Sequence, residues 1–194
     1  MRTVRALCLA LLLVLTPLSL MAPTVHASDS VIQVNTTWSG DVILSGNVTV
    51  ENGTTLTLSP GTTVDGGDGY WIRVDGTLLA SFSTFFSSQT PLTAGSHGAG
   101  LWTGLYIADK GHAVLNTVSI ENAKTAVKVD GHLTAEKLTL TDAYIGINNQ
   151  ASSDIDTLTA EHVDYEVVRN SGHLNLSGGT FTDVAGGVWS TGTT

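Results

Sequence analysis

Between Gly111 and Thr194 apolar side chains come at every second position, stop for a few residues, and resume. Lines started at Gly111, Gly131, Ala151 and Gly172 are 20, 20 and 21 residues apart, and their columns agree. Four residues into the lines stand Leu115, Ala135, Ile155 and Leu176, and nine in stand Ile120, Leu140, Ala160 and Phe181. Twelve in stand Ala123, Ala143, Val163 and Val184, and sixteen in stand Val127, Ile147, Val167 and Val188. Alternation with a period of two predicts short strands with one face buried, and each interruption predicts a bend. No segment after the first 27 residues keeps a 3.6-residue apolar stripe for three turns, so the pattern predicts an all-β domain. One coil of three short strands cannot bury its own apolar face. Coils stacked about 4.8 Å apart bury it and pair every backbone with the coils above and below.

The bends carry their own column. Eleven residues into the lines stand Asn122, Asp142, His162 and Asp183. Asn and Asp tolerate left-handed backbone and bond their own main chain, so this column is expected to form a polar corner ladder.

The same opening recurs upstream, in "NGTTLTLSPGTTV" from Asn52 and "DGTLLASFSTFFSS" from Asp75. Line starts at Gly53, Gly76 and Gly111 are 23 and 35 residues apart, and "SQTPLTAGSHGAG" reads as a loop inserted near 88–101. Residues 28–75 are therefore expected to form opening strands and a first coil, and residues 76–194 the remaining coils of a β-solenoid of about 5–6 coils. The closing "GGVWSTGTT" completes a line, and the stack is expected either to continue beyond Thr194 or to be truncated there.

The first 27 residues break the pattern. Arg2 and Arg5 precede an apolar run from Ala6 to Ala22, followed by Val25-His26-Ala27. A basic start, an apolar run and a small-residue end describe a signal peptide, expected to be helical and cleaved after Ala27, with no membrane span left behind. Its removal takes Arg2 and Arg5 from the eight basic residues and leaves all 17 acidic ones, moving the formal charge from −9 to −11. It also removes Cys8, the one cysteine. The expectation is a secreted or cell-surface domain held by packing and hydrogen bonds rather than disulfides. Its charge argues against nucleic acid or anionic membrane as partner.

"DVILSGNVTVENGTTLTLSPGTTV" and "GLWTGLYIADKGHAVLNTVSIENA" resemble the secreted right-handed parallel β-helix proteins of the pectin-lyase-like group. The resemblance rests on Gly53, Thr55, Leu56, Leu58, Pro60, Gly61 and Thr62, then on Trp102, Gly104, Leu105, Leu115, Val118, Ile120 and Ala123. It implies a right-handed β-helix. For activity it leaves lyases, hydrolases, epimerases and non-catalytic surface modules open.

The outward positions carry the candidate chemistry. Ten and thirteen residues into the lines lie Glu121, Lys124, Tyr144, Glu161 and Asp164. Acids beside a base are what polysaccharide lysis or hydrolysis needs, so Glu121, Lys124, Glu161 and Asp164 are the catalytic candidates. Solvated, mixed charges on a strand face explain them more simply. The "NTD", "DD", "RIK" and "GHG" motifs of the hydrolases in the resembled group are absent, with Ser96-His97-Gly98 the nearest approach. Tyr144 and Trp189 are candidate sugar-stacking residues, whereas Trp71 and Trp102 are expected in core or cap packing. His112 and His132 each follow a line-opening glycine one coil apart and could share a metal. Ser152 interrupts the column before His173, which favours plain turn residues. In "VDGGDGYW", Asp65 and Asp68 could bind calcium, although a glycine-rich turn suffices; no other cofactor is implied. Four sequons begin at Asn35, Asn47, Asn52 and Asn175. The expected function is a non-catalytic secreted or cell-surface module, structural or adhesive, contacting extracellular polysaccharide or other surface proteins. The alternative is a polysaccharide lyase or glycoside hydrolase, or a fragment of one.

Overall fold

A computed structural model describes residues 25–27, 29–89 and 102–194. The expected leader up to residue 24 and most of the loop insertion, including Ser96-His97-Gly98, lie outside the described residues. The chain opens with β1 (Val25–Ala27) and β2 (Ser30–Ile32). A first full turn follows in β3 (Thr36–Trp38), β4 (Asp41–Leu44) and β5 (Val48–Val50), and a second in β6 (Thr55–Leu58), β7 (Thr63–Asp65) and β8 (Trp71–Val74). β9 (Thr77–Phe86) bends across two faces and β10 (Gly104–Ile107) supplies the third. β11 (His112–Glu121) with β12 (Thr125–Val129), and β13 (His132–Ala143) with β14 (Ile145–Asn149), make two more turns. β15 (Ser152–Asn170) and β16 (His173–Ser190) each run a whole turn as one bent strand.

Every pairing among these strands is parallel, and all join one sheet wrapped into a β-solenoid of about seven turns. Three faces result. The first holds β3, β6 and the opening segments of β9, β11, β13, β15 and β16. The second holds β1, β4, β7 and the middle segments of the long strands. The third holds β2, β5, β8, β10, β12, β14 and the closing segments of β15 and β16. The end of the expected leader, Val25–Ala27, runs beside β4 on the second face.

Period-two alternation becomes alternating burial. In β11 Ala113, Leu115, Val118 and Ile120 are fully or almost fully buried, and β12 adds Ala126, Val127 and Val129. Each buried Leu, Ile or Val contributes roughly 1.5–3 kcal/mol by leaving water. Only stacking removes that surface from water, so turn and stack are stable together. Trp102 is fully buried. It stacks on Phe85 with centroids 6.2 Å apart, and its Nε1 donates to Glu121 O at 2.9 Å. Gly66 makes this fit possible, because a Cβ there would stand 2.6 Å from the Trp102 ring.

The corner column behaves as its residue types require. Asn122, Asp142, His162 and Asp183 all adopt left-handed backbone, with φ between 50° and 56°. His162 lies between two aspartates, with Nδ1 3.5 Å from Asp142 Oδ1 and Nε2 3.7 Å from Asp183 Oδ2.

Two expectations are corrected. The turns number about seven rather than 5–6, because residues 36–74 already complete two of them. Their first-face strands open at Thr36, Thr55 and Thr77, intervals that differ from the later period and hide the repeat. In the last apolar column Val168, not Val167, aligns with Ile147 and Val188. An irregularity between Val163 and Glu166 absorbs the extra residue of that line before the third face begins.

Candidate functional site

The third face gathers most of the exposed aromatic and basic side chains among the described residues. Its inward positions hold Ile72, Val74, Leu105, Ile107, Val127 and Val129, all buried, so the residues between them point outward. Register places Thr49, Arg73, Tyr106, Lys128, Asn148, Arg169 and Trp189 in one outward column, one residue per turn. Of the six basic residues beyond residue 27, Arg73, Lys128 and Arg169 stand in this column and Lys124 at the corner leading into it.

The column is braced. Arg73 lies over one side of the Tyr106 ring, 4.9 Å from its centroid, and Lys128 over the ring at 4.4 Å. Arg73 binds Asp75 through two hydrogen bonds of 2.7 Å. Lys128 Nζ and Tyr106 Oη both donate to Asp130 Oδ2, at 2.9 and 2.8 Å. The hydrogen bonds to Asp75 and Asp130 hold the pKa values of Arg73 and Lys128 above their usual values, against the opposing effect of burial. These cations stay charged at any physiological pH, and Tyr106 is fixed in place.

Beside this column lies a cavity of about 330 Å³ lined by Trp71, Thr103, Gly104, Tyr106, Lys124 and Lys128, among others. Gly104 creates it. Gly104 is paired with Trp71 on the neighbouring turn, and its φ of 111° and the proximity of Thr125 O leave no room for a Cβ. The rung therefore carries no side chain opposite Trp71, and the face is notched. Further along, Tyr144 and Tyr165 stack with centroids 5.8 Å apart and planes 12° from parallel. They are 44% and 46% exposed, so a flat aromatic platform stands in solvent. Arg169 lies 5.0 Å from the centre of the Tyr165 ring and bonds Glu166 Oε2 at 2.8 Å.

Of the residues expected to act, Tyr144 and Trp189 are on or beside this face, and Trp189 is 51% exposed. Lys124 lines the notch. Glu121 and Glu161 share a column on the second face, separated by Thr141, and Glu121 Oε1 accepts from Ser119 Oγ at 3.1 Å. Asp164 sits beside the irregularity leading to the third face. Asp65 is engaged by the main chain: its Oδ1 accepts from Gly67 N and Ser88 N at 3.0 and 3.1 Å, closing the turn that carries exposed Asp68. Among the described residues no group of three or more His, Cys, Asp or Glu is placed to hold a metal ion.

Sequence reasoning missed Trp71 and Tyr165. Trp71 shares the phase of outward Arg73 and opposes buried Ile72, so the alternation itself held the signal. Tyr165 falls within the irregularity after Val163, where counting along the line misplaces every residue by one.

Fold and face together define a parallel β-solenoid with one side that carries aromatic rings and ion-paired cations. No protein-family model, curated protein or solved structure matches the chain.

Proposed function

We propose that the chain is a non-catalytic extracellular β-solenoid module that holds polysaccharide along its third face. The observation that carries this is the concentration of Trp71, Tyr144, Tyr165, Trp189 and four of six basic residues on one side of an otherwise acidic chain. Sugar rings present flat C–H faces that pack on aromatic rings, and ammonium groups select acidic units. The Tyr144–Tyr165 platform and the Trp71 notch supply the first, and Lys124 at the rim of the notch supplies the second. The leader-like first 27 residues support an extracellular setting.

The test is affinity electrophoresis of the purified chain through neutral and acidic polysaccharides, with and without calcium. Retardation by an acidic polysaccharide is expected. Trp71→Ala and Tyr165→Ala should each weaken it by up to about tenfold, the range of one aromatic stacking contact. No retardation in any polymer, or retardation indifferent to both substitutions, overturns the reading. Polymer cleavage abolished by Glu161→Ala or Asp164→Ala would replace it with an enzyme.

A further inference from the structure

Two imidazoles face each other on the first face, away from the aromatic side. His112 opens β11 and His132 opens β13 in direct register. Their ring centroids are 5.0 Å apart and their planes tilted by 45°. Parallel pairing holds neighbouring strands about 4.8 Å apart, so this spacing belongs to the sheet and not to chance rotamers. His112 Nε2 is buried and has no hydrogen-bond partner. A buried nitrogen without a partner is a standing cost that a ligand would remove.

The surroundings suit a cation with an appetite for nitrogen. Burial, and then the neighbouring His132, push the His112 pKa down, which keeps its ring in the neutral form that coordinates metal. Asp154, on the next turn beside Thr134, brings Oδ2 to 3.8 Å from His132 Nε2. Thr134 Oγ1 lies 3.3 Å from the same nitrogen. Among the described residues no three ligating groups already converge, so the two imidazoles and the Asp154 carboxylate would have to close on the ion, with water completing the shell. Such a donor set favours copper, nickel or zinc ions over the oxygen-seeking calcium and magnesium.

We propose that His112 and His132, with Asp154 at hand, bind one divalent transition-metal ion that bridges two adjacent turns of the solenoid. The column also shows where the site stops. Ser152 replaces histidine on the next turn, and His173 beyond it bonds Thr193 Oγ1 at 3.1 Å.

Isothermal titration of the full chain with nickel, zinc and calcium chlorides at pH 7.5 tests the site, with thermal melts recorded beside it. One nickel or zinc ion per chain is expected, with a raised melting temperature and no comparable calcium binding. His112→Thr and His132→Ser place the residue types found at Thr77 and Ser152 in the same column, so both variants should fold, as circular dichroism will verify. Each should weaken metal binding at least tenfold, while His173→Ala leaves it unchanged. Undiminished binding in His112→Thr, calcium binding equal to nickel, or no saturable binding overturns the proposal. Polysaccharide retention, which uses the third face, should be the same in all three variants, so the two proposals fail separately.

Discussion

Among the described residues six non-glycine residues hold left-handed backbone, and they divide into those built for it and those that are not. Asn122, Asp142 and Asp183 have side chains short enough to tolerate φ near 50°. Phe82 does not. It turns the corner between the first two faces at φ 50°, with its ring 60% exposed, beside Gly61, whose N donates to Phe82 O at 2.8 Å. Gly61 meets the same corner at φ 82° without penalty. A bulky side chain in this conformation costs about 1–2 kcal/mol, and an exposed ring recovers little of it. Phe82→Asn should therefore stabilise the fold by roughly 0.5–1 kcal/mol, read as a higher urea midpoint with an unchanged slope. A lower midpoint would mean that the ring packs usefully at the surface. The Asn, Asp and His column was legible because its period matched the apolar columns. Phe82 was not, since nothing in a lone phenylalanine signals left-handed backbone.

At the scale of the elements, the closing inward position of the third face changes chemistry along the stack. Val50, Val74, Ile107 and Val129 occupy it in earlier turns, then Asn149, Asn170 and Ser190. Asn149 and Asn170 are fully buried. Asn149 Nδ2 donates to Asn170 Oδ1 at 2.7 Å and to His173 O at 2.8 Å, and Asn149 Oδ1 accepts from Ser153 Oγ at 3.0 Å. Asn170 Nδ2 donates to Ser190 Oγ at 2.9 Å and Thr193 O at 3.1 Å, and its Oδ1 also accepts from Gly172 N at 3.2 Å. Buried amides are tolerable only when bonded so completely. Asn170→Ala removes the centre of the ladder and strands several buried partners, so a loss of about 2–4 kcal/mol is expected. Chemical denaturation measures it, and a loss below about 1 kcal/mol would show that water replaces the amide. The sequence alone does not announce this ladder. Nothing in the residues around Asn149 and Asn170 marks them as inward, and only register places both in the column of Val129. The strands themselves were legible wherever alternation ran through a 20-residue line. They were obscured in residues 36–74, where the connections between faces are of unequal length.

For the molecule as a whole, stability is a sum over turns and the interfaces between them, which makes the turn and not the strand the unit that can be exchanged. Gly131 to Gln150 is one complete turn, and its removal would join Asp130 to Ala151. β11 would then meet β15 with every column in phase. Leu115 would face Ile155, Val118 would face Leu158, Ile120 would face Ala160, and left-handed Asn122 would meet left-handed His162. The cost is local: Ser153 loses the Asn149 acceptor, and Asn170 keeps Gly172 N but loses the Asn149 donor. The shortened chain should fold, with a β-rich circular dichroism spectrum and one cooperative thermal transition at a lower temperature. It should also lose the His112–His132 pair and the Tyr144–Tyr165 platform, and with them metal binding and part of the polysaccharide retention. Deleting only Gly131 to Leu140, half of the same turn, leaves the chain on the wrong face when it reaches β15, and no cooperative transition is expected. Equal behaviour of the two deletions would refute the additive picture. It would mean that the stack is held by something other than the repeated burial of one turn by the next.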